Sequence, residues 1–145
     1  MNKVEEAASC FEEGFMCSQA LLTAYAGEFG MDRHTALKVS AAFGGGMGRM
    51  GEICGAVTGA FMVLGLKYGR TEVQDTKSHE KTNRLVNEFA QRFKAVNGSI
   101  VCRELLGCDL STAEGRKIFA DSKLRETRCV KYVRDAAEIV EQLLA

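Results

Sequence analysis

GGGMGRMGEICGAVTGAFMVLG, residues Gly44 to Gly65, is the stretch on which the reading of the whole chain turns. Five of its first eight residues are glycine. Such a density costs conformational entropy unless the loop has a demanding shape, with positive φ or a very close backbone approach. The segment from Glu52 to Leu66 is apolar apart from Glu52 and Thr58, and mixes Ala, Met and Leu with Val, Ile and Phe. At about 15 residues it is short for a bilayer and suits a helix buried on all sides. Gly51, Gly55 and Gly59 recur at every fourth position and give that helix one flat stripe. With Gly51 as N-cap, Cys54 falls at N3, where unpaired N–H groups favour a thiolate. Arg49 adds a cation that Glu52 partly opposes, and Cys54 becomes the first candidate for chemistry.

The 145 residues suffice for one domain that buries about 70% of its unfolded surface without help from disulfides. The six cysteines therefore need another reason. Lys plus Arg and Asp plus Glu balance at 19 each, so no net field draws the chain to nucleic acid or to an anionic membrane. The N-terminal MNKVEEAASCFEEG is polar and acidic; no signal peptide and a reducing cytoplasm are expected. Proline and tryptophan are absent and helix formers dominate.

The periodicity outward from the central segment is helical throughout. Asn2 and Glu5 form a capping pattern for a helix to Glu13, with Val4, Ala7, Ala8 and Phe11 on one face and Gly14 closing it. A second helix is expected from Cys17 to Phe29, stopped by Gly30, and a third from Arg33 to Phe43, capped by Asp32, with Ala36, Leu37, Val39 and Ser40 inside. After Gly69 the chain turns polar. Thr71 and Gln74 suggest a cap, and Leu85, Phe89, Phe93 and Val96 give a surface helix one narrow buried edge that ends at Gly98. Ser99 is a cap for Ile100 to Leu106, Ser111 with Glu114 for a helix through Phe119, and a last helix from about Thr127 carries Cys129, Val133, Ala136, Val140 and Leu143. No segment alternates with period two and no repeat or linker appears. The expectation is a single domain over residues 1–145, an all-α bundle of about six or seven helices around the glycine-rich central one.

The cysteines stand at 10, 17, 54, 102, 108 and 129, and no CxxC occurs. That spacing argues against a thioredoxin motif, a zinc ribbon and a ferredoxin run, so any shared site is assembled by the fold. Cys17, Cys54, Cys102 and Cys129 each fall in the first turn of an expected helix, where a thiolate or an anionic metal–thiolate centre is favoured by about 0.3–1 kcal/mol. Cys10, beside Phe11, reads as core filler, and plain packing is an alternative for all six. Gly46, Gly48 and Gly51 satisfy GxGxxG, but helix rather than strand precedes them and no βαβ unit follows, so a dinucleotide site is not expected. The glycine loop retains the capacity to hold an anion or small cofactor; Gly45, Gly46, Gly48 and Arg49, with Gly55 and Gly59, are the candidate contacts. His34 and His79 read as exposed, and Met47, Met50 and Met62 as loop and core.

CSQALL at Cys17 to Leu22, FGGGMGRMGEICGAVTGAFMVLGLKYG at Phe43 to Gly69, CRELLGCDLST at Cys102 to Thr112 and CVKYV at Cys129 to Val133 together resemble the redox-active family named C_GCAxxG_C_C. Cys54, Gly55, Ala56 and Gly59 match its central motif, and Cys17, Cys102 and Cys129 its isolated cysteines. Family members often have Pro after Ser-Thr, where this chain has Ala113. A similar domain forms part of the split-Soret type of cytochrome, although this chain has no CxxCH for a haem. The resemblance implies redox chemistry, with an iron–sulfur cluster as the leading expectation. Its ligands would be Cys17, Cys54, Cys102 and Cys129, with Cys108 as a supplement, and its partner an electron-transfer protein or oxidoreductase. The first alternative is thiol–disulfide chemistry by Cys54 with Cys17 or Cys102. A structural zinc or a cofactorless interaction module is the second, and the Gly55 and Gly59 stripe would also permit a homodimer.

Overall fold

The computed structural model describes all 145 residues and contains eight α-helices and no strand. They are α1 (Lys3–Glu12), α2 (Cys17–Ala26), α3 (Arg33–Ser40), α4 (Gly55–Tyr68), α5 (Thr76–Asn97), α6 (Cys102–Leu106), α7 (Ala113–Asp121) and α8 (Val130–Leu144). Short 3-10 turns extend α2 to Phe29 and α3 to Phe43. Asn2 caps α1 through its side chain, which accepts from Glu5 N at 2.8 Å. No helix is long and apolar enough to cross a membrane.

Helix α4 is the hub and packs against α2, α5 and α8. Gly59 is the reason α2 comes so close. A Cβ there would lie 2.8 Å from Leu21 Cβ and 2.9 Å from Ser18 O, well inside contact distance. The glycine stripe is thus consumed inside the chain by α2 and offers no face to a second subunit, which removes the ground given above for a homodimer. Ser18, fully buried at this contact, donates from Oγ to Ser40 O at 2.8 Å and so fastens α2 to the end of α3. Helix α8 is tied across by Tyr25, whose hydroxyl donates to Ala137 O at 3.1 Å, and by Tyr68, which donates to Leu143 O at 3.0 Å. Phe89 and Phe93 of α5 stack at 6.1 Å and fill the remaining side.

Several boundaries differ from the sequence expectation for identifiable reasons. Helix α4 begins at Gly55, because residues 52–54 run extended alongside residues 100–102. Cys54 N donates to Ile100 O at 2.8 Å and Cys102 N to Glu52 O at 2.6 Å, an isolated antiparallel pairing centred on Ile53 and Val101. Val101 rather than Ser99 is therefore the N-cap of α6, and the Ser99 hydroxyl accepts from Val101 N instead. Asp75, accepting from Ser78 N, caps α5 in place of Thr71, and Thr112, accepting from Gly115 N, caps α7 in place of Ser111. Ala113 is the first residue of α7, a position proline also tolerates, so the departure from the family pattern leaves the helix start intact. Val39 and Val96 are exposed at the surface ends of their helices.

The glycine loop has an unusual conformation. Gly45, Gly46, Met47, Gly48 and Arg49 all have φ between 59° and 68°, one turn of left-handed helix. Each L-residue forced into that region costs about 1–2 kcal/mol, which explains the glycine density and leaves Met47 and Arg49 strained. At Gly46 a Cβ would additionally lie 2.6 Å from Glu52 N and 2.8 Å from Cys102 Cβ, whereas at Gly48 it would meet nothing. In urea unfolding, Gly48→Ala should cost about 1 kcal/mol from the backbone alone. Gly46→Ala should cost about 2 kcal/mol more, because overlap is added to strain; equal costs would show that the turn does not pack as described.

Candidate functional site

Four of the six cysteines line one cavity. Cys17 is the first residue of α2, Cys54 the N-cap of α4 and Cys102 the first residue of α6. Cys129 sits in a π-helical turn, Arg125–Cys129, that runs directly into α8. The cavity has a volume of about 330 Å³, and its wall also includes Phe11, Met16, Gly45, Gly46, Arg49, Gly55, Leu105, Leu106, Leu110, Arg116, Phe119, Arg125 and Tyr132. All six cysteines are free thiols.

Each thiol segment is fixed by a different device. Gly55 makes room for Cys17: a Cβ on Gly55 would stand 2.5 Å from Cys17 Sγ. The Cys-Gly pair at 54 and 55 thus supplies one sulfur and the space for another. The Ile53–Val101 pairing holds Cys54 and Cys102 side by side in register. Cys129 is brought in by the π turn, whose extra residue widens the helix, a feature common at functional sites. Side chains around that turn clamp it to its neighbours. Arg128 donates to Leu106 O at 3.0 Å and Tyr132 to Leu105 O at 2.9 Å, which ties the turn to the end of α6. Arg125 donates to Phe11 O and to Phe15 O and lies 3.8 Å from the Phe11 ring centroid, which ties it to the end of α1.

The electrostatics assign the thiols different characters. Cys17 is lowered to about 7 because the Cys54 thiol beside it donates to its sulfur. The N–H groups of Gly45, Ser18 and Cys17 itself act in the same direction. Cys54 is pushed well above the usual thiol range by that same hydrogen bond and by burial. Burial raises Cys102 to about 12 and raises Cys129 further still, and the neighbouring Cys17 adds to both. Of the two neighbouring thiols, Cys17 is the one lowered, where the sequence pointed to Cys54. Cys54 precedes α4 as its N-cap instead of lying at N3, and Cys17 is served by one N–H of the left-handed turn, that of Gly45, and by those of Cys17 and Ser18 at the start of α2.

The remaining candidates separate cleanly. Gly45, Gly46, Arg49 and Gly55 line the cavity, while Gly48 and Gly59 do not. Cys108 is buried and raised by that burial, and it lies outside the cavity wall. Cys10 is core, 3.5 Å from Thr23 Oγ1. Glu52 pairs with Arg103 at 3.0 Å and so leaves Arg49 unopposed. Sequence reasoning missed Phe11, Met16, Arg116, Phe119, Arg125 and Tyr132, which carry no motif of their own. No three Cys, His, Asp or Glu side chains gather tightly enough to hold a single metal ion.

Residues 15–143 match the family model described as "Putative redox-active protein (C_GCAxxG_C_C)". The chain belongs to that family. The match spans all four cavity cysteines, so in this C_GCAxxG_C_C protein the cysteines that give the family its pattern are those that share one wall. No curated protein and no solved structure matches the chain.

In metal-free, reduced protein, iodoacetamide should modify Cys17 fastest, with a rate that rises with pH and is half-maximal near pH 7, the thiolate being lost below that value. Cys54→Ser keeps a donor and should leave that midpoint low, whereas Cys54→Ala should move it upward. Peptide mapping that finds Cys54 reacting first would reverse the assignment.

Proposed function

We propose that this redox-active protein holds an iron–sulfur cluster on Cys17, Cys54, Cys102 and Cys129 and passes electrons to an electron-transfer protein or oxidoreductase. The observation that carries the reading is the convergence of four thiols, from four separate segments, on one largely apolar cavity. A single tetrahedral zinc needs sulfurs about 3.8 Å apart at Zn–S bonds of about 2.3 Å. The residues here do not gather so tightly, and the donor set fits a cluster, whose several atoms spread the ligands, better than one ion. Such a group supplies a one-electron couple when bound. The backbone N–H groups of Gly45 and Ser18 favour charge on the Cys17 sulfur, and donors of that kind raise a cluster's potential. Arg49, Arg116 and Arg125 offset negative charge, and Phe11, Leu105, Leu106 and Leu110 keep water away. Six thiols without a pairing pattern suit a reducing compartment such as the cytoplasm.

A second reading rests on the closeness of the Cys17 and Cys54 thiols, Cys54 being the residue next to Gly55, whose Cβ position lies 2.5 Å from Cys17 Sγ, and on the lowering of Cys17 by its neighbour. There the Cys17 thiolate attacks a partner's disulfide and expels one partner thiolate. Cys54, giving up its proton, then displaces the other, so the pair ends oxidised to a disulfide and the partner reduced to a dithiol.

Iron and acid-labile sulfide measured per chain on protein purified without oxygen, with a visible spectrum, separate the two. On the cluster reading, Cys→Ser at 17, 54, 102 or 129 removes the absorption, and Cys10→Ala and Cys108→Ala retain it. Protein that stays metal-free after anaerobic reconstitution with iron and sulfide, yet loses disulfide reductase activity on substitution of Cys17 or Cys54 alone, would establish the dithiol instead.

A further inference from the structure

Every charged residue in the cavity wall is an arginine. Arg49, Arg116 and Arg125 come from the left-handed turn, from α7 and from the π turn, and no carboxylate lines the cavity with them. None of the three takes part in an ion pair with an acidic side chain. The other charges nearby are already matched, Glu52 by Arg103 at 3.0 Å and Lys117 by Asp121 at 2.6 Å. Arg116 spends one N–H on Leu110 O at 2.9 Å, and Arg125 uses one nitrogen for Phe11 O and Phe15 O, so both guanidinium groups are oriented and keep free donors. Arg49 makes no side-chain hydrogen bond within the chain. It is held over Gly45, where an added Cβ would stand 3.1 Å from Arg49 Cγ, by a backbone at φ 67° that disfavours any residue except glycine. A strained, exposed and unpaired arginine at the edge of a cavity is costly unless its position is used.

The rest of the wall decides what kind of anion it faces. Eleven of the seventeen lining residues are hydrophobic, among them Phe11, Phe119, Leu110 and Met16. An inorganic oxyanion would find guanidinium donors there but would surrender its hydration to apolar walls. A ligand with an apolar body and one carboxylate satisfies both, in the manner of small-molecule sites that are mostly apolar with a few placed polar groups.

We propose that the outer part of the cysteine cavity is a binding site for a small organic carboxylate, its anionic group held by Arg49, Arg116 and Arg125 and its apolar body against Phe119, Leu110 and Met16. The site is built from arginines and apolar side chains, and it stands whether the cysteines beside it hold a cluster or act as a dithiol. The bound molecule would lie next to the thiol centre, where a redox substrate or an inhibitor has to be.

The test is calorimetric titration of the reduced protein with 2-naphthoate, in metal-free and, where obtained, iron-loaded form. Binding with a Kd of about 1 mM or tighter is expected. The neutral analogue 2-naphthalenemethanol should bind about tenfold or more weakly, Arg49→Gln should weaken naphthoate by a similar factor, and Arg49→Lys should recover part of the loss. Arg92→Gln, on the outer face of α5, should bind as the parent does, and thermal unfolding checks that each variant is folded. Equal affinity for the alcohol, no effect of Arg49→Gln, or no binding in either form would overturn the proposal. Competition by inorganic phosphate as strong as that by naphthoate would overturn the organic assignment.

Discussion

The close approach of α2 to α4 is the constraint on which the rest of the molecule depends. It is possible only because Gly55 and Gly59 have no side chains, and it fixes the Cys17 sulfur against the start of α4 and beside Cys54. The same contact buries Ser18, whose bond to Ser40 O fixes where α3 ends and therefore where the left-handed turn must start. Nothing in the turn has to be rigid on its own account. It is pinned at one end by this contact and at the other by the Ile53–Val101 pairing.

Much of the scaffold was legible because it follows from local rules. The buried faces of α1, α2 and α8, the Asn2 cap and the role of Cys10 all follow from periodicity and capping chemistry acting over a few residues. Cys17 and Cys102 were placed at helix starts, and both are there. Cys54 was placed three positions too deep, because the pairing of residues 52–54 with 100–102 is a long-range event with no trace in either segment's own pattern. Cys129 was expected in an ordinary first turn. Its π turn is stabilised by Arg125 and Arg128 reaching the carbonyls of distant helix ends, which no local window can reveal. Glycine density announced a special loop but not its hand, and Met47 and Arg49 sit in it against their own preference.

The neighbouring Cys54 and Cys17 show how a motif can serve a residue outside itself. Cys-Gly-Ala-x-x-Gly draws attention to its cysteine, yet its first glycine makes room for the Cys17 sulfur and its second for the Ser18 and Leu21 turn of the same helix. The motif builds a seat, and the residue seated there is Cys17, supplied from 37 positions upstream. Arg116 and Phe119 were unreadable for a related reason. On α7 they look like parts of a surface helix whose only buried residue is Gly115, and they become cavity wall only because the fold sets that helix beside the thiol segments.

The hydroxyl of Tyr25 reaches the carbonyl of Ala137 across 112 positions of chain, and the cavity cysteines, from Cys17 to Cys129, are spread over a stretch of equal length. Any contiguous fragment that contains them all must run from residue 17 to residue 129, and a growing polypeptide that has just released residue 101 carries only two of the four. The four-thiol centre therefore requires the π turn that leads into α8. Cys17 and Cys54 can meet as soon as α2 and α4 pack, whereas Cys102 and Cys129 join them only after a further 48 and 75 residues, so the centre is built in stages along the chain.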